Sequence, residues 1–224
     1  MPRNSRRATL PALALLCLAT GLAQAQEANQ EQAIIVLDAS GSMWGQINGK
    51  PKLEIARETL ATVLKDTPDT MALGLMAYGH REKGNCEDIE LVVPVRAGSG
   101  GDIAAAAAQM KFLGMTPLSE AVARAANELR FTEQKATVIL ITDGLETCKA
   151  DPCALGKELE ESGVDFTAHV VGFGLSAEEG KQVACLAENT GGRYFNARNP
   201  DELSGALGAV VAVSTEPALP PATA

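Results

Sequence analysis

Histidine is nearly missing from this chain: His80 and His169 are the only two among 224 residues, and no Cys-x-x-Cys pair accompanies them. A zinc site built from nitrogen and sulfur ligands therefore lacks its donors. No Gly-x-Ser-x-Gly elbow occurs, so no serine is set up as a hydrolase nucleophile. The cluster Gly98-Ser99-Gly100-Gly101 lacks the lysine and the spacing of a phosphate loop and reads as a flexible connection into a helix. A phosphatase built on Asp38 needs a second acid two positions later, where Ser40 stands instead. Basic residues are outnumbered 28 to 19, for a net charge of −9. That balance argues against nucleic acid and anionic lipid as partners. No internal repeat is visible, and beyond the N-terminus no stretch is long and apolar enough to span a membrane.

Residues 1–25 read as a secretory signal. Arg3, Arg6 and Arg7 form a basic start, Leu10 to Leu22 an apolar core, and Ala23-Gln24-Ala25 a small-x-small cleavage site. The apolar core is short for a membrane span. A lipoprotein signal at Leu15-Leu16-Cys17 is the competing reading, but Leu16 is bulky where a small residue is needed, and the apolar run continues past Cys17. Cleavage removes three arginines, so 19 less 3 basic residues face 28 acidic ones, a net charge of −12. What remains suffices for one domain with a real core, in a periplasmic or secreted setting. Residues 26–31 read as a flexible leader, 32–212 as the domain, and 213–224 as a disordered Pro/Ala-rich tail.

Within the domain, unbroken apolar runs alternate with helical spacing. Strands are expected at Ala33–Leu37, Met71–Tyr78, Ile89–Val95, Ala136–Thr142, Phe166–Gly172 and Arg193–Asn196. Helices are expected at Pro51–Lys65, Asp102–Lys111, Pro117–Leu129, Pro152–Glu161, Ala177–Asn189 and Pro200–Val211. Asp151 would cap the fourth of these and Gly163 end it. A loop through Trp44 and Gly49 leads into the first. Pro94 demotes its strand to an edge, and the short connection before it makes that pair antiparallel. The alternation gives an α/β fold: a doubly wound, mostly parallel six-stranded sheet with one antiparallel edge strand and helices on both faces.

Asp38-Ala39-Ser40-Gly41-Ser42 follows the first apolar run, placing a carboxylate and two hydroxyls in a tight turn at a strand's C-terminal end. All are hard oxygen donors, which favours Mg²⁺, Mn²⁺ or Ca²⁺ over zinc or copper. Asp-x-Ser-x-Ser alone also occurs in ordinary turns. Two distant segments add weight: Gly114-Met115-Thr116-Pro117, where Thr116 would cap the helix that Pro117 starts, and Thr142-Asp143-Gly144 at the end of another apolar run. In an open α/β sheet such strand ends are where ligands gather.

With Asp38-x-Ser40-x-Ser42, Thr116 and Asp143-Gly144 in this order, residues 32–212 resemble a von Willebrand factor A domain, and the five residues match its metal-ion-dependent adhesion site. Met43-Trp44-Gly45, Ala77-Tyr78-Gly79-His80-Arg81, Thr116-Pro117-Leu118 and Thr190-Gly191-Gly192-Arg193-Tyr194 resemble bacterial secreted members. The resemblance implies a Rossmann-like domain holding one divalent cation, Mg²⁺ first and Mn²⁺ or Ca²⁺ as alternatives. Ser40, Ser42 and Thr116 would coordinate it, and Asp38 and Asp143 would supply negative charge. A coordination position would remain for the Asp or Glu of a protein partner. A hard cation held mainly by neutral hydroxyls keeps positive charge for that carboxylate. Four cysteines remain after cleavage, Cys86, Cys148, Cys153 and Cys185, and allow three pairings that sequence alone does not select. In the expected fold Cys86 and Cys148 lie in loops near the metal face and Cys153 and Cys185 on consecutive helices. This favours Cys86–Cys148 with Cys153–Cys185, with a local Cys148–Cys153 loop as the main rival.

Around the five residues, Trp44, His80 and Glu146 are candidates for a partner-contacting rim. Trp44, the single tryptophan, would offer a flat anchor. His80 is otherwise a surface or capping histidine, and Glu146 by default a solvated loop carboxylate. His169, inside a strand, reads as a packed, hydrogen-bonded histidine. The functional expectation is a binding module rather than an enzyme. A metal-dependent hydrolase and a purely structural metal staple are the alternatives.

Overall fold

In this computed structural model the described residues are 31–214. They run β1 (Gln32–Asp38), a 3-10 turn (Gly41–Trp44), β2 (Gln46–Ile47), β3 (Lys50–Pro51), α1 (Lys52–Val63), β4 (Ala72–Tyr78), β5 (Ile89–Ala97), α2 (Gly100–Gln109), α3 (Leu118–Glu128), β6 (Ala136–Thr142), α4 (Pro152–Ser162), β7 (Phe166–Phe173), α5 (Ala177–Asn189), β8 (Tyr194–Ala197) and α6 (Pro200–Ser214). The signal at 1–25, the leader but for Glu31, and the tail from 215 lie outside the described residues.

Six strands form one sheet in the order β5-β4-β1-β6-β7-β8, parallel throughout except for the antiparallel β4–β5 pair. β1, β4 and β6 are buried along almost their whole length, because both faces are covered, and this is why they read as apolar runs. Successive side chains of β1 enter opposite cores. Ile35 and Leu37 pack with Leu53, Leu60, Ile103, Leu203 and Val210 from α1, α2 and α6. Ile34 and Val36 pack with Leu118, Val122, Leu159, Val183 and Leu186 from α3, α4 and α5. Each fully buried Leu or Ile contributes roughly 1.5–3 kcal/mol. Ala121, Ala125 and Ala126 are buried on α3 against the central strands, and their small size lets the helix lie close.

The chain leaves β1 through α1 to reach β4 on one side, while β6 lies on the other. The strand order therefore reverses between β1 and β6, and a crevice opens at their carboxyl ends. Asp38 is the last residue of β1, and Asp143 follows the last residue of β6.

Two local expectations change and one holds. Pro117 occupies the cap position of α3 with no side-chain cap, so Thr116 does not cap the helix and its hydroxyl is free for another role. Gly163 ends α4 as expected, at a φ of −78°. Its lack of a side chain matters because a Cβ there would lie 2.8 Å from Leu159 O. The loop before α1 contains the hairpin β2–β3, turned by Asn48 and Gly49 at φ values of 53° and 80°. That pair is a type I′ turn signal, which could have revealed the hairpin in the sequence.

Candidate metal centre

Three loops meet above the crevice, and each is tied to the other two. Loop A follows β1. Asp38 Oδ1 accepts the Ser40 N–H at 2.8 Å, curling the chain into the 3-10 turn, whose Met43 is buried in the core. Loop B approaches from the other side of β4: Gly41 N donates to Gly114 O at 3.1 Å, Leu113 N to Ala39 O at 3.1 Å, and Gly114 N to Gly79 O at 2.8 Å. Loop C follows β6, and its Thr147 exchanges two bonds with Thr116: Thr116 N donates to Thr147 Oγ1 at 2.7 Å, and Thr147 N to Thr116 O at 3.1 Å.

These ties bring the side chains together. Ser40 Oγ and Ser42 Oγ lie 2.8 Å apart, and the Ser42 hydroxyl donates to Asp143 Oδ1 at 2.6 Å. A side-chain carbon at Gly144 would stand 3.3 Å from Ser42 Oγ and 3.9 Å from Thr116 Oγ1, so both hydroxyls border the space this glycine leaves open. Asp38, Ser40, Thr116 and Asp143 are buried, whereas Ser42 is exposed at the mouth. Asp38 is held from below: Thr142 Oγ1 donates to its Oδ2 at 2.8 Å, and the buried Tyr78 hydroxyl donates to Thr142 Oγ1 at 3.2 Å.

Two carboxylates share this buried site. Burial, and then the charge of Asp143, raise the Asp38 carboxyl above its usual range, against the pull of its hydrogen bonds from Ser40 and Thr142. Burial chiefly, followed by the Asp38 charge, pushes the Tyr78 phenol well above its ordinary value. The protein supplies one compensating charge itself. Lys52 Nζ lies 2.9 Å from Asp143 Oδ2, with side chains 14% and 0% exposed respectively. Three neutral hydroxyls and two carboxylates, all hard oxygen donors at one opening, fit a divalent cation of the Mg²⁺, Mn²⁺ or Ca²⁺ type. Among the described residues no group of three or more His, Cys, Asp or Glu side chains is arranged to hold a metal, here or elsewhere, and this site offers two carboxylates with hydroxyls instead.

The rim candidates fall out differently. Trp44 is 58% exposed, its indole N–H donating to Phe112 O at 2.8 Å, and so is no core residue. His80 turns to β5, where Nε2 meets Glu90 Oε2 at 2.9 Å, and its hydrogen bond goes to none of the five. Glu146 is not a solvated carboxylate. It accepts Ser119 N at 3.0 Å at the start of α3 and Cys148 N at 2.7 Å, so it clamps loop C to the N-terminus of that helix. His169 is packed as expected, its Nδ1 accepting Arg193 N at 3.1 Å. Burial, then the Arg193 charge, lower its pKa to about 4. The disulfides are Cys86–Cys148, which ties loop C to the β4–β5 connection, and Cys153–Cys185, which ties α4 to α5. The roles of Lys52, Tyr78 and Thr142 have no local mark in the sequence, since they depend on contacts spanning 91, 64 and 104 residues.

The von Willebrand factor type A domain model matches residues 33–146. The uncharacterized protein YwmD of Bacillus subtilis (strain 168) is 28% identical over 181 residues, covering 77% of this chain and 81% of YwmD. The pilus adhesin SpaC of Lactobacillus rhamnosus GG is similar in structure, with a TM-score of 0.66 at 15% identity over 81% of this chain. Proximal thread matrix protein 1 of the mussel byssus, solved with a zinc-occupied MIDAS motif, gives a TM-score of 0.61 at 19% identity over 81% of this chain. At such identities the two structures show the fold, and the match spans only 30% of the SpaC chain and 45% of the mussel chain. Among the described residues no helix is long and apolar enough to cross a membrane. With a family model matching over half its length, and with this sheet order, the chain belongs to the von Willebrand factor type A domain family.

Proposed function

We propose that this domain binds one divalent cation, Mg²⁺ in the first place, among Asp38, Ser40, Ser42, Thr116 and Asp143, and engages a carboxylate-bearing protein partner through it. The convergence of oxygen donors from three separately anchored loops carries the reading: Ser40 and Ser42 hydroxyls 2.8 Å apart, and Asp143 2.6 Å from the second. When bound, the cation supplies a Lewis-acidic point for the partner's Asp or Glu. The chain's own residues do the rest. Asp38, fixed by Ser40 N and Thr142, holds negative charge at the floor, while exposed Ser42 leaves the mouth open.

Trp44 and Leu113, 58% and 40% exposed, lie in loops A and B beside this mouth and offer apolar contact to the residues flanking the partner's carboxylate. Two disulfides support an extracytoplasmic setting, in keeping with the signal read at residues 1–25. A binding role is favoured over hydrolysis because neither imidazole hydrogen-bonds to the centre, His80 meeting Glu90 and His169 accepting Arg193 N, and the carboxylate at the Ser42 hydroxyl, Asp143, is already paired with Lys52. A purely structural metal is disfavoured because hydrogen bonds and the Cys86–Cys148 bridge already tie the loops.

Calorimetric titration of residues 26–224 with Mg²⁺, Mn²⁺ and Ca²⁺ tests the first step. Stoichiometric binding, abolished in an Asp38→Ala, Ser40→Ala double variant, is expected, and unchanged binding by that variant refutes the centre. The second step is tested on a peptide array in which Asp and Glu are exchanged for Asn and Gln. Retention of the acidic peptides in Mg²⁺ but not in EDTA is expected.

A further inference from the structure

Lys52 stands at the first position of α1, where the positive end of the helix dipole disfavours a cation. It is nonetheless turned inward, with Nζ 2.9 Å from Asp143 Oδ2 and only 14% of its side chain exposed. The other Asp143 oxygen receives the Ser42 hydroxyl, so both are engaged by the protein itself. The route taken by Lys52 is built for it. The β2–β3 hairpin delivers the residue, and Lys52 N donates to Gly45 O at 2.8 Å. A Cβ at Gly45 would sit 3.6 Å from Lys52 Cε, and one at Gly174 would sit 3.0 Å from Cε and 3.2 Å from Nζ. Glycines therefore flank the stem on two sides. A second carboxylate follows from the same packing: Gly174, against which the stem lies, leads through Ser176 into the first turn of α5. Glu179, in the first turn of α5, has its carboxyl held low first by hydrogen bonds from Ser176 and then by the charge of Lys52.

We infer that Lys52 sets the affinity of the metal centre: its ammonium group is a tethered competitor of the divalent cation for Asp143, and Glu179 receives it when the cation enters. This rests on the metal-binding reading above and adds a threshold to it. Two buried carboxylates, Asp38 and Asp143, are half neutralised by Lys52 before any metal arrives. A cation must displace that charge or share Asp143 with it. The domain therefore stays folded with the centre empty and loads only where divalent cation is plentiful.

The test is calorimetry with Mg²⁺ alone, on residues 26–224, for the wild type and four variants. Lys52→Met removes the competitor and is expected to tighten Mg²⁺ binding about tenfold or more, since unit charges a few ångströms apart interact strongly when shielded from water. Lys52→Arg keeps the charge and is expected to bind like the wild type. Glu179→Gln preserves an acceptor for Ser176 N but withdraws the alternative berth, and is expected to weaken binding a few-fold. Lys50→Met, which breaks an exposed pair with Glu58 near the same hairpin, is the control and is expected to change nothing. Thermal unfolding in EDTA gives a second readout: Lys52→Met should melt below the wild type and gain more from Mg²⁺. Equal or weaker Mg²⁺ binding by Lys52→Met overturns the role of Lys52 while leaving the centre standing. No binding by either wild type or Lys52→Met removes both. Should Lys52→Met fail to fold without metal, Glu179→Gln decides: affinity unchanged from the wild type overturns the inference.

Discussion

Gly79 is the point where loops A and B are held at the right separation, and substituting it should damage the centre more than any exposed turn glycine. It follows β4 at a φ of +72°, and a Cβ there would lie 2.7 Å from Met115 O and 3.2 Å from both Ser40 N and Ser40 Cα. Its own carbonyl accepts from Leu113 N and Gly114 N. Gly49 makes the matched control, with a φ of +80° and nothing within 4 Å of the same carbon. The left-handed backbone costs an alanine about 1–2 kcal/mol at either position. At Gly79 the overlap with two backbone segments adds about 1–3 kcal/mol, because rigid main chain must move. We expect Gly79→Ala to lose about 3 kcal/mol and Gly49→Ala about 1 kcal/mol in urea denaturation. The segments that yield carry Ser40 and Thr116, so Mg²⁺ affinity by calorimetry should fall for Gly79→Ala and hold for Gly49→Ala. Equal stability losses, or an intact affinity in Gly79→Ala, would show that the crossing does not position these hydroxyls.

The Cys86–Cys148 bridge closes a separation of 62 residues and holds loop C from its far end. Replacing both cysteines by serine should cost about 2–4 kcal/mol by urea midpoint. Mg²⁺ binding should weaken more than in a Cys153→Ser, Cys185→Ser variant, whose bridge lies between helices. His169, with its pKa lowered from 6.5 to about 4, stays neutral in the fold while the unfolded chain takes up a proton. Its contribution is therefore complete above pH 6.5 and lost as pH falls toward 4, up to roughly 3 kcal/mol. Urea unfolding in EDTA at pH 7 and pH 4.5 should show this loss, and His169→Asn, which keeps an acceptor for Arg193 N, should reduce it. An undiminished loss would assign the acid sensitivity to other groups.

The strands were legible because burial on both faces leaves an unmistakable trace: Ala33–Leu37 and Ala136–Thr142 contain no outward polar register to confuse them. The antiparallel edge was legible from Pro94 and a short connection. The five candidate residues could be named because Asp38, Ser40 and Asp143 lie within two residues of a strand end, Thr116 precedes a proline, and Ser42 continues the Asp-x-Ser-x-Ser pattern. What could not be read were the contacts joining them. The Lys52–Asp143 pair, the Tyr78–Thr142–Asp38 chain and the clamp from Glu146 to Ser119 all depend on how loops cross after the sheet has formed. Thr116 was assigned to a helix start by its neighbour Pro117. Tertiary bonds to Thr147 instead fix its backbone toward loop C and start the helix at Leu118.

Anomalous diffraction from crystals of residues 26–224 grown in MnCl₂ bears most directly on the metal centre. We expect one strong manganese peak about 2.0–2.6 Å from the Ser40 and Ser42 hydroxyl oxygens, with Thr116 and Asp143 bordering it. A map with no peak between those hydroxyls at saturating manganese, or with the peak on another part of the surface, would contradict it.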